Sequence, residues 1–168
     1  MEAPQFTASN DDRKKVWKLI ENINIAMMVT QGEGGRFYSR PMAAQKPDKD
    51  DNLWFFTSIS SPKVMEIADF PDVLLSYAEP DKNNYVSITG KAKVVQDRAK
   101  IEELWSEPLR TWWPKGKDDP DICLICVTPE SAEYWDSPSS AFVIGFGYVK
   151  ARITGKPEEF GENKIVRL

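Results

Sequence analysis

The chain has 168 residues, with 22 basic and 26 acidic side chains and a formal charge of -4 at pH 7. That length points to one domain spanning 1–168, and the acidic balance argues against a generic polyanion-binding surface, so nucleic acid is not an expected partner. The chain contains no histidine, which removes Ser-His-Asp triads, Cys-His pairs, HExxH zinc sites and His-ligated haem.

Asn10 and Asp11 precede Val16, Leu19, Ile20 and Ile23, a spacing that predicts a capped amphipathic helix over about 10–22. Ile25 to Thr30 and Arg36 to Ala44 flank Gln31-Gly-Glu-Gly-Gly35 and read as a hairpin whose turn uses the glycines. The same glycines do not make a phosphate-cradling loop, because such a loop must open a helix and here a strand follows. Leu53 to Thr57 is the next strand. Ser60 or Ser61 then caps a short helix with Pro62 in its first turn, stopped by Pro71. Strands are expected at Val73 to Ala78 and Tyr85 to Val95, followed by a second amphipathic helix from Asp97 to Glu107 that Pro108 ends.

Leu109 to Pro120 is a loop by its Pro, Gly and charge content, yet it carries Trp112 and Trp113, whose rings need a surface to cover. Ile122 to Val127, Ala132 to Trp135 and roughly Phe146 to Ile153 supply further strand, and the last residues, from about 156 to 168, read as a polar tail. Hairpin-linked strands with few helices predict a mainly β fold, an antiparallel sheet closing into a barrel with flanking helices.

Cys123 and Cys126 have redox or zinc spacing. They fall in an unbroken apolar run that reads as a buried strand, where an offset of three sends the side chains to opposite faces with Cα atoms roughly 10 Å apart. That exceeds the disulfide limit of about 7 Å, so two buried reduced thiols are expected. The N-terminus lacks the basic and apolar runs of a signal, and no segment reaches the roughly 18 apolar residues of a membrane span. A soluble, cytoplasmic protein with no membrane partner is expected.

The segments with most chemical content are Ser39-Arg-Pro-Met42, Leu53-Trp-Phe-Phe-Thr-Ser58 and Ser61-Pro-Lys-Val64. An arginine, hydroxyls and a lysine at a helix start can converge on one anion, and apolar strand residues beside them can support a flat ring. Solvated charges at element ends are the plainer reading of the same residues.

In their order these segments resemble the pyridoxamine 5'-phosphate oxidase-like FMN-binding split barrels, specifically the general stress protein branch. Val86-Ser-Ile-Thr-Gly-Lys-Ala92, Trp112-Trp-Pro114 with Gly116 and Asp118, and Glu133-Tyr-Trp-Asp136 carry the same resemblance. It implies a six-stranded antiparallel split barrel that forms a homodimer, with the flavin FMN at the subunit interface. By that similarity Ser39 and Arg40 belong to the cofactor site, where Arg40 and Lys63 grip the phosphate and Thr57 and Ser58 donate hydrogen bonds. Met42, Phe55 and Phe56 line the isoalloxazine, and the Trp112, Trp113 loop reaches toward the partner's flavin. The resemblance also implies flavin-dependent oxidoreductase chemistry with a nicotinamide cofactor as candidate reductant; a non-catalytic flavin carrier or dimeric interaction protein is the alternative. The Arg-x-His motif of the pyridoxamine phosphate oxidases is absent, so vitamin B6 oxidation is not expected.

Overall fold

The computed structural model describes residues 6–7, 9–136, 148, 152 and 162–168. The first helix, α1 (Asn10–Ile20), follows a two-residue strand, β1 (Phe6–Thr7). Its N-cap is Ser9, whose Oγ accepts from the Asp12 amide at 3.1 Å, one residue before the expected Asn10. Val16 and Ile20 are its buried positions.

Strands β2 (Ile25–Gln31) and β3 (Phe37–Ala43) pair antiparallel, Met28 opposite Arg40. The turn between them places Gly34 and Gly35 at φ of 70° and 74°, a conformation that side chains disfavour. After β4 (Leu53–Ser58) comes α2 (Pro62–Asp69), and then β5 (Asp72–Glu79) and β6 (Asn84–Val95). The second expected amphipathic helix is shorter: α3 is Arg98–Leu104, capped by the Asp97 carboxylate, and Pro108 lies inside a separate 3₁₀ turn at Glu107–Thr111. Proline suits a first-turn position, where it forgoes no intrahelical bond.

The two strand runs expected between Ile122 and Trp135 are one strand, β7 (Ile122–Asp136). Pro129 does not break it because the β6–β7 register shifts between Thr89 and Gly90, opposite the proline, and a bulge is where a sheet tolerates a residue without an N–H. Gly90 is required there: a Cβ would lie 2.3 Å from the Thr128 carbonyl oxygen. The expected polar tail instead contains β8 (Glu162–Arg167), which pairs with the second half of β7 and runs parallel to β1. Val166 is its fully buried residue. Of the strand expected at Phe146 to Ile153, Tyr148 and Arg152 are helical, and the rest lies outside the described residues, as do residues 156–161 of the tail.

The sheet runs β3–β2–β5–β6–β7–β4 with every pairing antiparallel. It curls until β3 meets β4 through a single bridge, Ala44 to Phe55, and the Gln45 amide donates to the Trp54 carbonyl at 2.9 Å. This is the six-stranded antiparallel split barrel expected, with flanking helices. α1 leads into β2 and buries Val16 and Ile20 in the barrel core; α2 links the end of β4 to the start of β5 and buries Ile67 there.

Strands β4 and β7 are covered on both sides. Leu53, Phe55, Ile125 and Val127 face the barrel core. Trp54, Phe56, Ile122, Leu124 and Cys126 face an outer cluster closed by Ile101, Leu109 and Trp113. This double burial explains the unbroken apolar runs, since a strand with one wet face would alternate. Both cysteines are free and buried. Among the described residues no helix is long and apolar enough to cross a membrane.

Candidate functional site

Alternation along β3 turns Arg40 and Met42 inward while Ser39 and Pro41 face out. On β4 the same rule turns Thr57 inward with Leu53 and Phe55. Thr57 stands near the end of its strand, just before the chain enters α2. Ser61 occupies the N-cap position of α2 but makes no capping bond. Its hydroxyl instead accepts from Lys63 Nζ at 2.6 Å, and the same ammonium donates to Thr57 Oγ1 at 3.0 Å. Ser58 is turned away from this pair: its Oγ lies 2.7 Å from Ser60 Oγ and accepts from the Ser60 amide.

Arg40 reaches the same barrel end. Its Nη2 donates to Glu66 Oε2 at 2.9 Å and its Nη1 to Thr30 Oγ1 at 2.5 Å, while the Thr30 hydroxyl donates to Glu66 Oε2. Thr30 is fully buried. Burial, and next the Arg40 guanidinium, push the Lys63 ammonium below the ordinary lysine range, with Glu66 and Cys123 pulling the other way. Lys63 also sits in the first turn of α2, where unpaired N–H groups carry positive partial charge and a cation is normally disfavoured. Two cations and a helix start therefore converge, and Glu66 is the one carboxylate bonded to either cation among the described residues. The arrangement can bind an anion.

The remaining expected site residues are dispersed. Met42 and Phe55 belong to the barrel core, Phe55 with no exposed surface. Phe56 faces the outer cluster, its ring 5.9 Å from Trp113 and 6.2 Å from Trp105 between centroids. The tryptophan pair divides: Trp113 is buried at 9% exposure and Trp112 stands out at 66%. Ser39 is exposed on the outer face of β3, opposite Val29.

Sequence reading missed Thr30 and Glu66. Thr30 looks like an ordinary strand residue, while Glu66, one turn beyond Lys63 on α2, carried the only available signal, an acid on the helix side that holds the lysine. A recess of about 1000 Å³ lies elsewhere, between α1 and the β3–β4 connection, and includes Trp17, Ala44, Leu53 and Tyr77 but neither Arg40 nor Lys63. Leu53 and Thr57 stand toward opposite ends of β4, so this hollow and the Arg40–Lys63 pair are separate features. The site is placed by the cations, since convergent charge selects a ligand and volume alone does not.

Comparison with known proteins supplies independent context. Residues 11–159 match the family of pyridoxamine 5'-phosphate oxidase-like proteins. General stress protein 26 of Bacillus subtilis is 29% identical over 125 residues, covering 71% of this chain and 85% of that one. A crystal structure of the general stress FMN/FAD binding protein of Xanthomonas citri superposes with a TM-score of 0.68 at 26% identity, covering 79% and 93% of the two chains. A structure from Jannaschia sp. CCS1, assigned to general stress protein 26, gives a TM-score of 0.74 at 24% identity over 95% of this chain and all of the other.

Proposed function

Because the chain belongs to the pyridoxamine 5'-phosphate oxidase-like family, we propose that it is an FMN-binding protein of the general stress type in which Arg40 and Lys63 hold the cofactor phosphate. The observation that carries this reading is the convergence of Arg40, Lys63 and the start of α2, with one carboxylate to offset them. The donor set suits a phosphate. Thr57 and Ser61 take two of the three N–H bonds of Lys63, leaving the third for a ligand, and the guanidinium keeps its Nε edge unengaged among the described contacts of Arg40. FMN, when bound, supplies hydride and electron chemistry. The chain's own part is to bind and orient: Arg40 and Lys63 neutralise the anion, Thr57 and Ser61 hold the ammonium in place, and the core around Phe55 keeps the strand behind them dry.

The proposal extends to a homodimer. The outward face of β2, β3 and β5 presents Ile25, Met27, Val29, Pro41, Ala43 and Leu74, and register places Met27 between Pro41 and Ser76, and Val29 between Ser39 and Leu74. Ile25 and Met27 are 49% and 40% exposed. An uncharged patch of this kind on a sheet marks an interaction surface, and a second copy of the chain, apposing the same face, is the proposed occupant. Reduced nicotinamide cofactors are the proposed electron source for the bound flavin.

Titration calorimetry with FMN and riboflavin tests the phosphate assignment. Lys63→Ala is expected to weaken FMN by about ten- to a hundredfold, the value of a charge-assisted hydrogen bond, and leave riboflavin unchanged; equal losses would overturn it. Sedimentation at micromolar concentration is expected to show a dimer that Met27→Glu dissociates. Pyridoxamine phosphate oxidation, followed by peroxide release, is expected to stay below about 10⁴ M⁻¹s⁻¹ in kcat/KM, because no Arg-x-His motif is present.

A further inference from the structure

A carboxylate inside an anion site is paradoxical, because it repels the ligand that the cations attract. Glu66 is such a group, and its bonding suggests what it does. Arg40 Nη1 donates to Thr30 Oγ1 and Arg40 Nη2 to Glu66 Oε2, while the Thr30 hydroxyl closes the ring onto the same Oε2 atom. The three members come from β2, β3 and α2. Thr30 has no exposed surface, and the Arg40 and Glu66 side chains are 22% and 13% exposed.

We propose that Glu66 is the positioning residue of the anion site: with Thr30 it pins both terminal nitrogens of Arg40 along one edge, so that the Nε edge is presented beside the Lys63 ammonium. This inference rests on the phosphate reading above and adds how the site is kept assembled when no anion is bound. An arginine on a strand has a long stem with many rotamers, and next to a second cation its favoured course is to swing into solvent. Glu66 opposes both tendencies, since it binds the guanidinium and offsets the repulsion from Lys63. It is one turn beyond Lys63 on α2, so one helix carries the lysine and the group that aims the arginine, which fixes the separation of the two cations. The ring also explains a threonine at a fully buried strand position, where valine would pack without needing a partner: its hydroxyl is both acceptor and donor here.

The test uses the whole chain and reads equilibrium binding of FMN and of riboflavin. Glu66→Ala is expected to weaken FMN about tenfold, as for loss of one charge-assisted bond, and to leave riboflavin unchanged. Glu66→Gln keeps an acceptor oxygen for Arg40 and Thr30, and loses together the charge that offsets Lys63 and the repulsion of the ligand, so its FMN affinity is expected to stay well above that of Glu66→Ala. The proposal is overturned if Glu66→Ala binds FMN as the parent does, if it loses both ligands equally, or if Glu66→Gln falls as far as Glu66→Ala. Should Glu66→Ala fail to fold by circular dichroism, Thr30→Val carries the test, with an FMN-selective loss expected and an unchanged FMN affinity overturning the ring. Arg40→Ala and Lys63→Ala separate the two levels: if neither distinguishes FMN from riboflavin, the phosphate reading itself falls, whatever Glu66 does.

Discussion

Phe56 and Trp113 meet with ring centroids 5.9 Å apart and planes inclined at 52°, so the second tryptophan of an adjacent pair roofs the outer face of β4 while the first, Trp112, stands in solvent. The two neighbours therefore have separate energetic roles.

Trp113→Ala is expected to destabilise the chain by about 3–5 kcal/mol, the usual cost of truncating a buried tryptophan, and Trp112→Ala by about 0.5 kcal/mol or less, as for an exposed position. Urea denaturation at fixed protein concentration measures both. Equal effects would show that the roof over Phe56 does not depend on Trp113.

The depressed Lys63 pKa yields a pH signature. Its folded value lies below its ordinary 10.5, so between the two the unfolded chain holds a proton that the folded chain lacks, and this group's contribution to stability rises with pH in that window. For ligand binding the slope is opposite, because a phosphate dianion favours the ammonium: FMN affinity is expected to decline as pH rises through the folded Lys63 value. Lys63→Arg, charged throughout, is expected to flatten the decline. A parallel fall in parent and Lys63→Arg would assign the titration to another group. Below about pH 6, where the phosphate dianion takes up a proton and becomes a monoanion, both are expected to weaken together.

How far these features could be read in advance varies with the physics behind them. Arg40, Thr57 and Lys63 were legible because a cation or hydroxyl at a strand or helix end is a local pattern. Thr30 and Glu66 were not, since their meaning arises only when β2, β3 and α2 are brought to one barrel end. The burial of β7 was visible in its unbroken apolar run, whereas β8 was hidden by Glu162, Asn163 and Lys164, whose polarity masks the one core residue, Val166. Pro129 concealed the continuity of β7 because the bulge that tolerates it depends on Gly90 in the neighbouring strand. Which of two adjacent tryptophans packs is undecidable in a loop without periodicity.

Burial, reinforced by Asp121 and opposed by Lys63, pushes the Cys123 thiol from 9.0 up to about 11. Between these values the unfolded chain releases a proton that the folded chain retains, so stability is expected to fall with pH across that window, on the order of 2 kcal/mol in total. Cys123→Ala is expected to remove that part of the slope in urea titrations compared at several pH values. A slope unaltered by the substitution would place the alkaline sensitivity elsewhere. Neither Cys123 nor Cys126 is expected to react with a thiol reagent until the chain unfolds, because both are buried and the thiolate is the reactive form.

The lone bridge between β3 and β4 also bears on the order of assembly. β4 obtains its ladder from β7, which emerges from the ribosome only after β5, β6 and α3. Until then Leu53 to Ser58, apolar on both faces, has neither a hydrogen-bonding neighbour along its length nor a cover, the condition in which nascent chains recruit chaperones or pair with one another. Closure of β4 on β7 is the long-range contact whose chain entropy must be met late, and such contacts slow folding. Substitutions at the β4–β7 seam are therefore expected to act on the yield of newly made protein before they act on the lifetime of the finished barrel.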